Sequence, residues 1–236
     1  MIRDFSAGDV MILLRAAQWT IVLSLVAFVG GTIIGLVIAL MRSAAGRVPR
    51  LLAGAYVELF QGTPLLMQLF MLFFGANIVG LPVSAWHAAA IGLTLYSSAF
   101  LGEIWRGCIE AVPRGQWDAA RALGLRYPHQ VGLVIIPQAL RLATPPTVGF
   151  LVQVIKSTSV TSILGFVELT RAAQLVNNTT FRPLLVFSIV CAIYFALCWP
   201  LSYLSRRLEG RLARADMRPP QAKPFDRDPL GIAQPR

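Results

Sequence analysis

The chain has 236 residues, of which 56% are hydrophobic and 14% are Asp, Glu, Lys or Arg, and its mean hydropathy is +0.65. Soluble domains carry roughly 25% charged residues, so this composition argues against an ordinary soluble enzyme or binding module. The net charge of +10 comes from basic residues gathered in the gaps between apolar runs. That distribution is typical of a membrane protein rather than of a nucleic-acid-binding face. We therefore predict an integral membrane protein with no nucleic-acid partner.

The first apolar run, residues 16–41, is long enough to cross a bilayer. Its 26 residues carry no charge, and as a helix they measure about 39 Å against roughly 30 Å of hydrocarbon. A secretory signal has a shorter apolar core and a cleavage site, so we predict a retained span. The charge-free stretch that follows is divided by the turn 75–84 into spans near 56–76 and 85–107. A last span is predicted over 183–204.

The fourth span, residues 135–167, differs from the others. It carries Arg141, the pair Pro145-Pro146 and Lys156 within its apolar sequence. A double proline is unfavourable inside a helix. Discontinuous helices are tolerated at membrane depth where they line a cavity, as in many transporters. We therefore predict an all-α polytopic membrane protein with five transmembrane helices, of which the fourth is broken.

Charge in the connecting segments predicts the orientation of these spans. Residues 42–50, 106–130 and 206–236 together carry +9, whereas 1–15, 75–84 and 168–182 together carry +1. The positive-inside rule assigns the first set to the cytoplasm. The N-terminal segment 1–15 is then external, 16–205 forms the transmembrane domain, and 206–236 is a cytoplasmic tail, rich in proline and charge and partly disordered.

A short helix is predicted over 116–124, in a cytoplasmic segment. Asp118 lies in its first turn, Arg121 is placed to pair with Asp118, and Gly124 suits a left-handed cap. Trp117, Ala120 and Leu123 share one face. A helix of this length is unstable alone and must dock, either on the lipid surface or in the groove of a cytoplasmic protein partner.

The same segment resembles a known family. WDAARALGLRYPHQVGLVIIPQ (117–138) is similar to the EAA loop of binding-protein-dependent ABC importer permeases: Asp118-Ala119-Ala120 take the first positions, Gly124 the glycine, and Val134 to Pro137 the end. Asp118 stands where the family has glutamate. The stretches 58–70, 98–125 and 156–174 resemble the polar amino-acid subfamily, and the resemblance covers about 16–205.

The resemblance implies a permease subunit of the bacterial inner membrane. Its partners would be a second permease subunit, identical or different, two cytoplasmic ATPase subunits and an external solute-binding protein. ATP and Mg would bind the ATPase and no cofactor this chain, which lacks a Walker A pattern because Ile155 precedes Lys156-Ser157. The segment 116–137 would couple to the ATPase, through Trp117, Asp118, Ala119, Ala120, Arg121, Leu123 and Gly124.

Candidates for the substrate pathway are polar or backbone-exposing residues within or beside the spans. They are Gln61, Gly62, Thr63, Pro64, Gln68, Ser97, Ser98, Glu103, Lys156, Ser157, Thr158 and Ser159. Each has a structural alternative. The 61–64 stretch suits an ordinary kink, the hydroxyls suit helix packing, and Glu103 is spaced to pair with Arg106. Lys156 is the strongest pathway candidate because an ionisable residue at membrane depth is rare.

Two other functional classes remain open. An intramembrane Ser-His hydrolase is disfavoured because His87 and His129 fall on opposite sides of the predicted membrane and no Gly-x-Ser-x-Gly stretch occurs. A passive channel would not need a cytoplasmic docking helix.

Overall fold

A computed structural model describes residues 3–44 and 46–216 of the protein. These residues form helices and connecting loops, without a strand. In chain order the helices are α1 (Ala7–Ser43), α2 (Arg47–Gly62), α3 (Leu65–Phe70), α4 (Ala85–Glu110), α5 (Arg114–Ala122), α6 (Ile136–Ser157), α7 (Leu169–Thr180) and α8 (Pro183–Asp216).

Irregular helical turns flank two of these elements. α3 continues through a π-helical turn, Met71–Gly75, into a last turn, Ala76–Ile78. α6 is preceded by Tyr127–His129 and a π-helical stretch, Gln130–Ile135, and is followed by a 3-10 helix, Thr158–Leu164. The π-helical stretch ends just before Pro137, whose missing N–H disturbs the regular hydrogen-bond ladder.

Four helical stretches in the described part are long and apolar enough to cross a membrane by themselves. They are Ala7–Ser43, Ala85–Glu110, Tyr127–Leu164 and Pro183–Leu212. A fifth span is obtained when Arg47–Gly62 and Leu65–Ile78 are counted together, although these two helices meet at a bend of 103°. The five spans predicted from the sequence are therefore reached when this bent pair counts as one span.

The position of the broken span differs from the prediction. α6 runs unbroken through Pro145 and Pro146, and the break lies at Thr63-Pro64, in the second span. Neighbouring helices hold α6 in place: its Ala143 and Phe150 are buried, and Ser205 Oγ of α8 donates to the Pro145 carbonyl at 2.9 Å. Packing of neighbouring helices against α6 therefore compensates for the backbone hydrogen bonds that the two prolines cannot make.

The core is built around close contact between α1 and α4. A Cβ atom on Gly31 would lie 2.6 Å from Ser97 Cβ, and one on Gly35 would lie 3.0 Å from the Ser98 carbonyl oxygen. Glycine at both positions lets the two backbones approach, the usual role of small residues spaced by four in membrane helices. Leu23, Ala27 and Leu93 pack in the adjoining cluster.

The helix bundle has two chemically different ends. Tyr127 Oη donates to the Ser43 carbonyl (3.1 Å), which joins the segment after α5 to the end of α1. We call this end, with the segments 42–50 and 106–130, the basic end. At the opposite end, Arg3 N donates to the Thr179 carbonyl (3.2 Å) and Arg182 pairs with Asp4. The contacts thus group these segments as their charges do.

The first and last helices extend beyond the predicted membrane domain 16–205. α1 begins at Ala7, inside the predicted N-terminal segment 1–15, and α8 extends to Asp216, inside the predicted tail 206–236. The rest of the predicted tail, 217–236, lies outside the described residues.

Candidate functional site

The short helix α5 lies at the basic end and begins two residues before the predicted segment. Gly124 follows it with φ of +71°, and its N–H donates to the Arg121 carbonyl at 2.9 Å. This is the left-handed cap expected from the sequence. The expected pair between Asp118 and Arg121 is present at 2.6 Å, with both side chains well exposed.

The two faces of α5 are used differently from the prediction. Ala120 is only 2% exposed within this chain, and Trp117 packs against the cluster that contains Ile109 and Val112. The three residues of the predicted partner face, Trp117, Ala120 and Leu123, therefore do not form one exposed surface. Trp117 and Ala120 hold the helix against its own membrane domain, whereas Leu123 is 78% exposed. An apolar stripe on a helix does not reveal whether its own chain or another protein covers it.

The exposed side of α5 is small and of mixed chemistry. Its exposed residues include Asp118, Ala119, Arg121 and Ala122, and the exposed surface continues into Leu123. Beside it lies a cavity of about 520 Å³, whose lining is Arg114, Trp117, Asp118, Arg121, Tyr127 and Gln130. Another molecule can contact this side of the helix, whereas the side that contains Ala120 is buried within this chain.

Tyr127 connects the α5 region to the first span. Its ring stacks on Trp117 with centroids 6.4 Å apart, and its hydroxyl donates to the Ser43 carbonyl. A displacement of α5 would therefore act on the end of α1 through one aromatic residue. The sequence analysis missed Tyr127, for which the available signal was an aromatic side chain in a polar loop.

Glu103 lies in an ion-pair network at the basic end of α4. It accepts from Arg106 Nε at 3.0 Å, lies 3.6 Å from Arg42 of α1, and shares Arg106 with Glu110. The pair between Glu103 and Arg106 that the spacing predicts is confirmed. The contact with Arg42 makes the network a link between α1 and α4, close to Trp117 across a cavity of about 270 Å³.

The break in the second span is a closed turn whose carbonyl groups find partners. Gln68 Nε2 donates to the carbonyls of Phe60 (2.9 Å) and Thr63 (3.0 Å), and Thr63 Oγ1 donates to the Leu59 carbonyl (2.7 Å). Gln68 Oε1 is buried without a partner among the described residues. The break borders a largely apolar cavity of about 550 Å³, lined on this side by Thr63, Met67 and Gln68.

The remaining predicted pathway residues fall in two places. Ser97 lies against Gly31 in the helix interface, and Ser98 Oγ lies 2.7 Å from Tyr56 Oη, so both belong to helix packing. Lys156 is exposed at the end of α6, followed by the buried Ser157 and Thr158, and Ser159 Oγ donates to the Lys156 carbonyl at 2.7 Å.

α3, which follows the break in the second span, packs against the 3-10 helix that follows α6. Leu164, at the end of the 3-10 helix that follows Lys156, packs with Leu69 of α3 in one buried cluster. The fold thus brings α3 beside the 3-10 helix, whereas Ser97, Ser98 and Glu103 lie in α4.

Residues 31–214 match the family described as the binding-protein-dependent transport system inner membrane component. The chain belongs to this family. The family that the segment 117–138 indicated is therefore confirmed, and the hydrolase and channel alternatives are not favoured.

Individual members of the family align with most of the chain. The probable amino-acid ABC transporter permease protein YckA of Bacillus subtilis is 34% identical over 85% of this chain and 88% of its own length. The L-cystine transport system permease protein TcyB of the same organism is 35% identical over 86% and 87%. The glutamine transport system permease protein GlnP of Escherichia coli is 32% identical over 89% and 97%.

Solved transporter structures share the fold. A crystal structure of an amino acid ABC transporter with histidines superposes with a TM-score of 0.83 at 33% identity, over 89% of this chain and 100% of that one. An inward-facing structure of the MetNI methionine ABC transporter has a TM-score of 0.74 at 22% identity, over 91% and 100%. The second likeness concerns the fold alone.

One buried residue of this family member was not anticipated from the sequence. Glu168 is fully buried at the start of α7, where its carboxylate accepts from the N–H groups of Thr170 (2.9 Å) and Arg171 (2.8 Å) and from Tyr194 Oη (3.1 Å). Burial raises the pKa of this carboxyl above its ordinary value, and the hydrogen bonds counteract part of that shift. The residue caps a helix; the sequence signal was an acidic residue directly before a helical segment.

Proposed function

We propose that this permease forms the translocation pathway of an ATP-driven importer for a polar amino acid and couples to a separate ATPase through α5. The observation that carries the proposal is the geometry of α5: one face is fixed to the membrane domain by Trp117 and Ala120, and the other is exposed at the basic end. A helix held in this way can transmit the movement of a bound protein to the spans. The relatives named for amino acids, cystine and glutamine support the substrate class.

The proposal includes the assembly around the chain. A second permease subunit, identical or different, completes the pathway, two ATPase subunits bind at the cytoplasmic face, and a solute-binding protein delivers the substrate from outside. ATP and Mg bind the ATPase, so hydrolysis takes place on the partner and not on this chain. The basic end faces the cytoplasm, which places the N-terminus outside and the C-terminus inside the bacterial inner membrane.

The corrected docking surface is the exposed side of α5. Ala119 and Leu123 supply apolar contact, while Asp118 and Arg121 supply charge at the rim. Burying a leucine side chain contributes about 1.5–3 kcal/mol, so a helix with so little apolar surface depends strongly on this one residue. Asp118 is one methylene shorter than the family's glutamate and already pairs with Arg121, which leaves Leu123 as the main anchor.

The pathway is proposed to pass beside the break in the second span. Gln61, Gly62, Thr63, Pro64 and Gln68 border it, and Thr63 and Gln68 line the adjoining cavity. Lys156 and Ser159, on the adjoining segment, complete the proposed polar set. Ser97, Ser98, Ser157, Thr158 and Glu103 contribute through packing and ion pairing, because the structure gives each of them such contacts or burial.

Co-purification with the ATPase tests the coupling surface. We expect Ala119→Trp and Leu123→Asp to insert in the membrane normally but to lose the ATPase, with uptake reduced at least about tenfold, since the lost anchor is worth more than 1.4 kcal/mol. The matched control is Ala55→Trp, at an exposed position on α2. Normal ATPase retention by both α5 variants, with coupled uptake unchanged, would refute the docking role.

A further inference from the structure

The middle of α8 carries an exposed aromatic ladder that ends in arginines. Phe195, Trp199 and Tyr203 follow one another at four-residue spacing, with ring centroids 6.4 and 5.6 Å apart. Arg207 continues the ladder, with its Cζ 4.4 Å from the centre of the Tyr203 ring. The three rings are 65%, 50% and 40% exposed, so the ladder lies on the outer surface of the bundle.

A basic cavity adjoins the end of this ladder. Its volume is about 360 Å³, and its lining consists of Tyr203, Arg206, Arg207, Gly210 and Arg211. None of the three arginines takes part in an ion pair within the described residues. The neighbouring acid, Glu209, does not line the cavity and accepts from Ser205 Oγ instead, at 3.4 Å. The cavity therefore presents guanidinium donors without a counter-ion from this part of the chain.

We propose that this cavity binds the headgroup of an anionic phospholipid, whose acyl chains lie along the aromatic ladder. Guanidinium groups bind phosphate oxygens in paired hydrogen bonds, and arginines just beyond a membrane span attract anionic lipid. Tyrosine and tryptophan are favoured at the headgroup level, where their rings have one apolar and one polar side.

The dimensions and exposure of α8 favour a lipid over a soluble partner. From Phe195 to Arg207 the helix rises about 18 Å, which matches roughly half of a bilayer of about 40 Å including headgroups. The most apolar window of α8 is 17% buried, compared with 33–50% in the other three single-helix spans. A soluble protein that contacts the arginines does not reach Phe195 or Trp199 within the apolar span, whereas one phospholipid spans the whole ladder.

Native mass spectrometry of the detergent-purified importer complex tests the proposal, with phosphatidylglycerol and phosphatidylcholine as probes. We expect the wild type to retain phosphatidylglycerol in preference to phosphatidylcholine. Arg207→Gln with Arg211→Gln removes two charges from the cavity, and we expect each loss to lower the relative affinity about fivefold. Arg207→Lys with Arg211→Lys keeps the charge but not the paired hydrogen bonds, so we expect an intermediate affinity.

The matched control is Arg171→Gln with Arg182→Gln, which removes the same charge from the opposite end of the molecule. We expect it to retain phosphatidylglycerol as the wild type does. Equal retention of the two lipids by the wild type, or an equal loss in both double variants, would overturn the proposal. Loss of the ATPase or of the second permease subunit from the Arg207/Arg211 variant, with lipid retention unchanged, would identify a protein as the occupant and also overturn it.

Discussion

Single residues in this permease fix how neighbouring helices meet, and Glu168 does so with a buried charge. Its carboxylate caps α7, bonds Tyr194 of α8, and lies 3.5 Å from Thr20 Oγ1 of α1. A buried carboxylate is unfavourable unless hydrogen bonds satisfy it. These donors come from three helices, so the residue holds the end opposite the basic end together.

The pKa of Glu168 predicts a pH dependence of stability. Because burial raises the folded-state pKa above the ordinary value of 4.5, the folded protein binds more protons than the unfolded chain in the window between the two values. The contribution of Glu168 to stability therefore falls as pH rises through that window. We expect Glu168→Gln to lose this slope in thermal unfolding of the detergent-purified protein, relative to the wild type.

Glu168→Ala separates the cap from the titration. We expect this variant to lack the slope and also to be less stable at every pH, by about 0.5–2 kcal/mol, since alanine offers no cap acceptor. Parallel pH profiles for the wild type and Glu168→Gln would contradict the assignment of the slope to this carboxyl.

Among the elements, the helices were predictable and the position of the break was not. Charge-free runs of 20 residues or more, such as 16–41, identify spans because the bilayer fixes their length. Proline is found both at Pro64, where the helix breaks, and at Pro145-Pro146, where it continues. Tertiary contacts distinguish the two proline sites. α4 and α8 enclose α6 at Pro145-Pro146, whereas Gln68 forms local hydrogen bonds at the break.

For α5, the local features were predictable from the sequence, but the direction in which the helix faces was not. The helix, its Gly124 cap and its Asp118–Arg121 pair follow from local preferences, which depend on neighbours along the chain. The packing of Trp117 depends on Ile109, Ile135 and the rest of a cluster formed by distant segments, so the direction in which the helix faces was not encoded locally.

Gln68 is predicted to stabilise the break. Gln68→Leu removes the amide that donates to the partly buried Phe60 carbonyl and the exposed Thr63 carbonyl, and each lost hydrogen bond costs about 0.5–1.5 kcal/mol. We expect a lower midpoint of thermal unfolding and reduced uptake by the reconstituted importer. The control is Gln61→Leu, whose amide makes a single longer bond, 3.3 Å, to the Ala99 carbonyl. Equal midpoints for the two variants would show that Gln68 does not hold the break.

For the molecule as a whole, the fold and the charge pattern agree on which segments share an end. The basic segments 42–50 and 106–130 meet through Tyr127 and Ser43, and the N-terminal segment meets 168–182 through Arg3 and Thr179. Because the contacts do not depend on charge counting, the agreement supports one membrane orientation for all spans. The positive-inside rule then predicts that the basic end is cytoplasmic.

Cysteine labelling in sealed, right-side-out cells measures that orientation. In a background with Cys108, Cys191 and Cys198 replaced by alanine, single cysteines are introduced at positions 46 and 111 of the basic end and at positions 81 and 178 of the opposite end. We expect an impermeant maleimide to label 81 and 178 from outside, and 46 and 111 only after the cells are opened.

The bend of 103° makes this test informative about the second span. If Arg47–Gly62 and Leu65–Ile78 formed a re-entrant loop, positions 46 and 81 would lie on the same side and label together. Labelling of 46 or 111 in intact cells would reverse the orientation and remove α5 from the reach of a cytoplasmic ATPase.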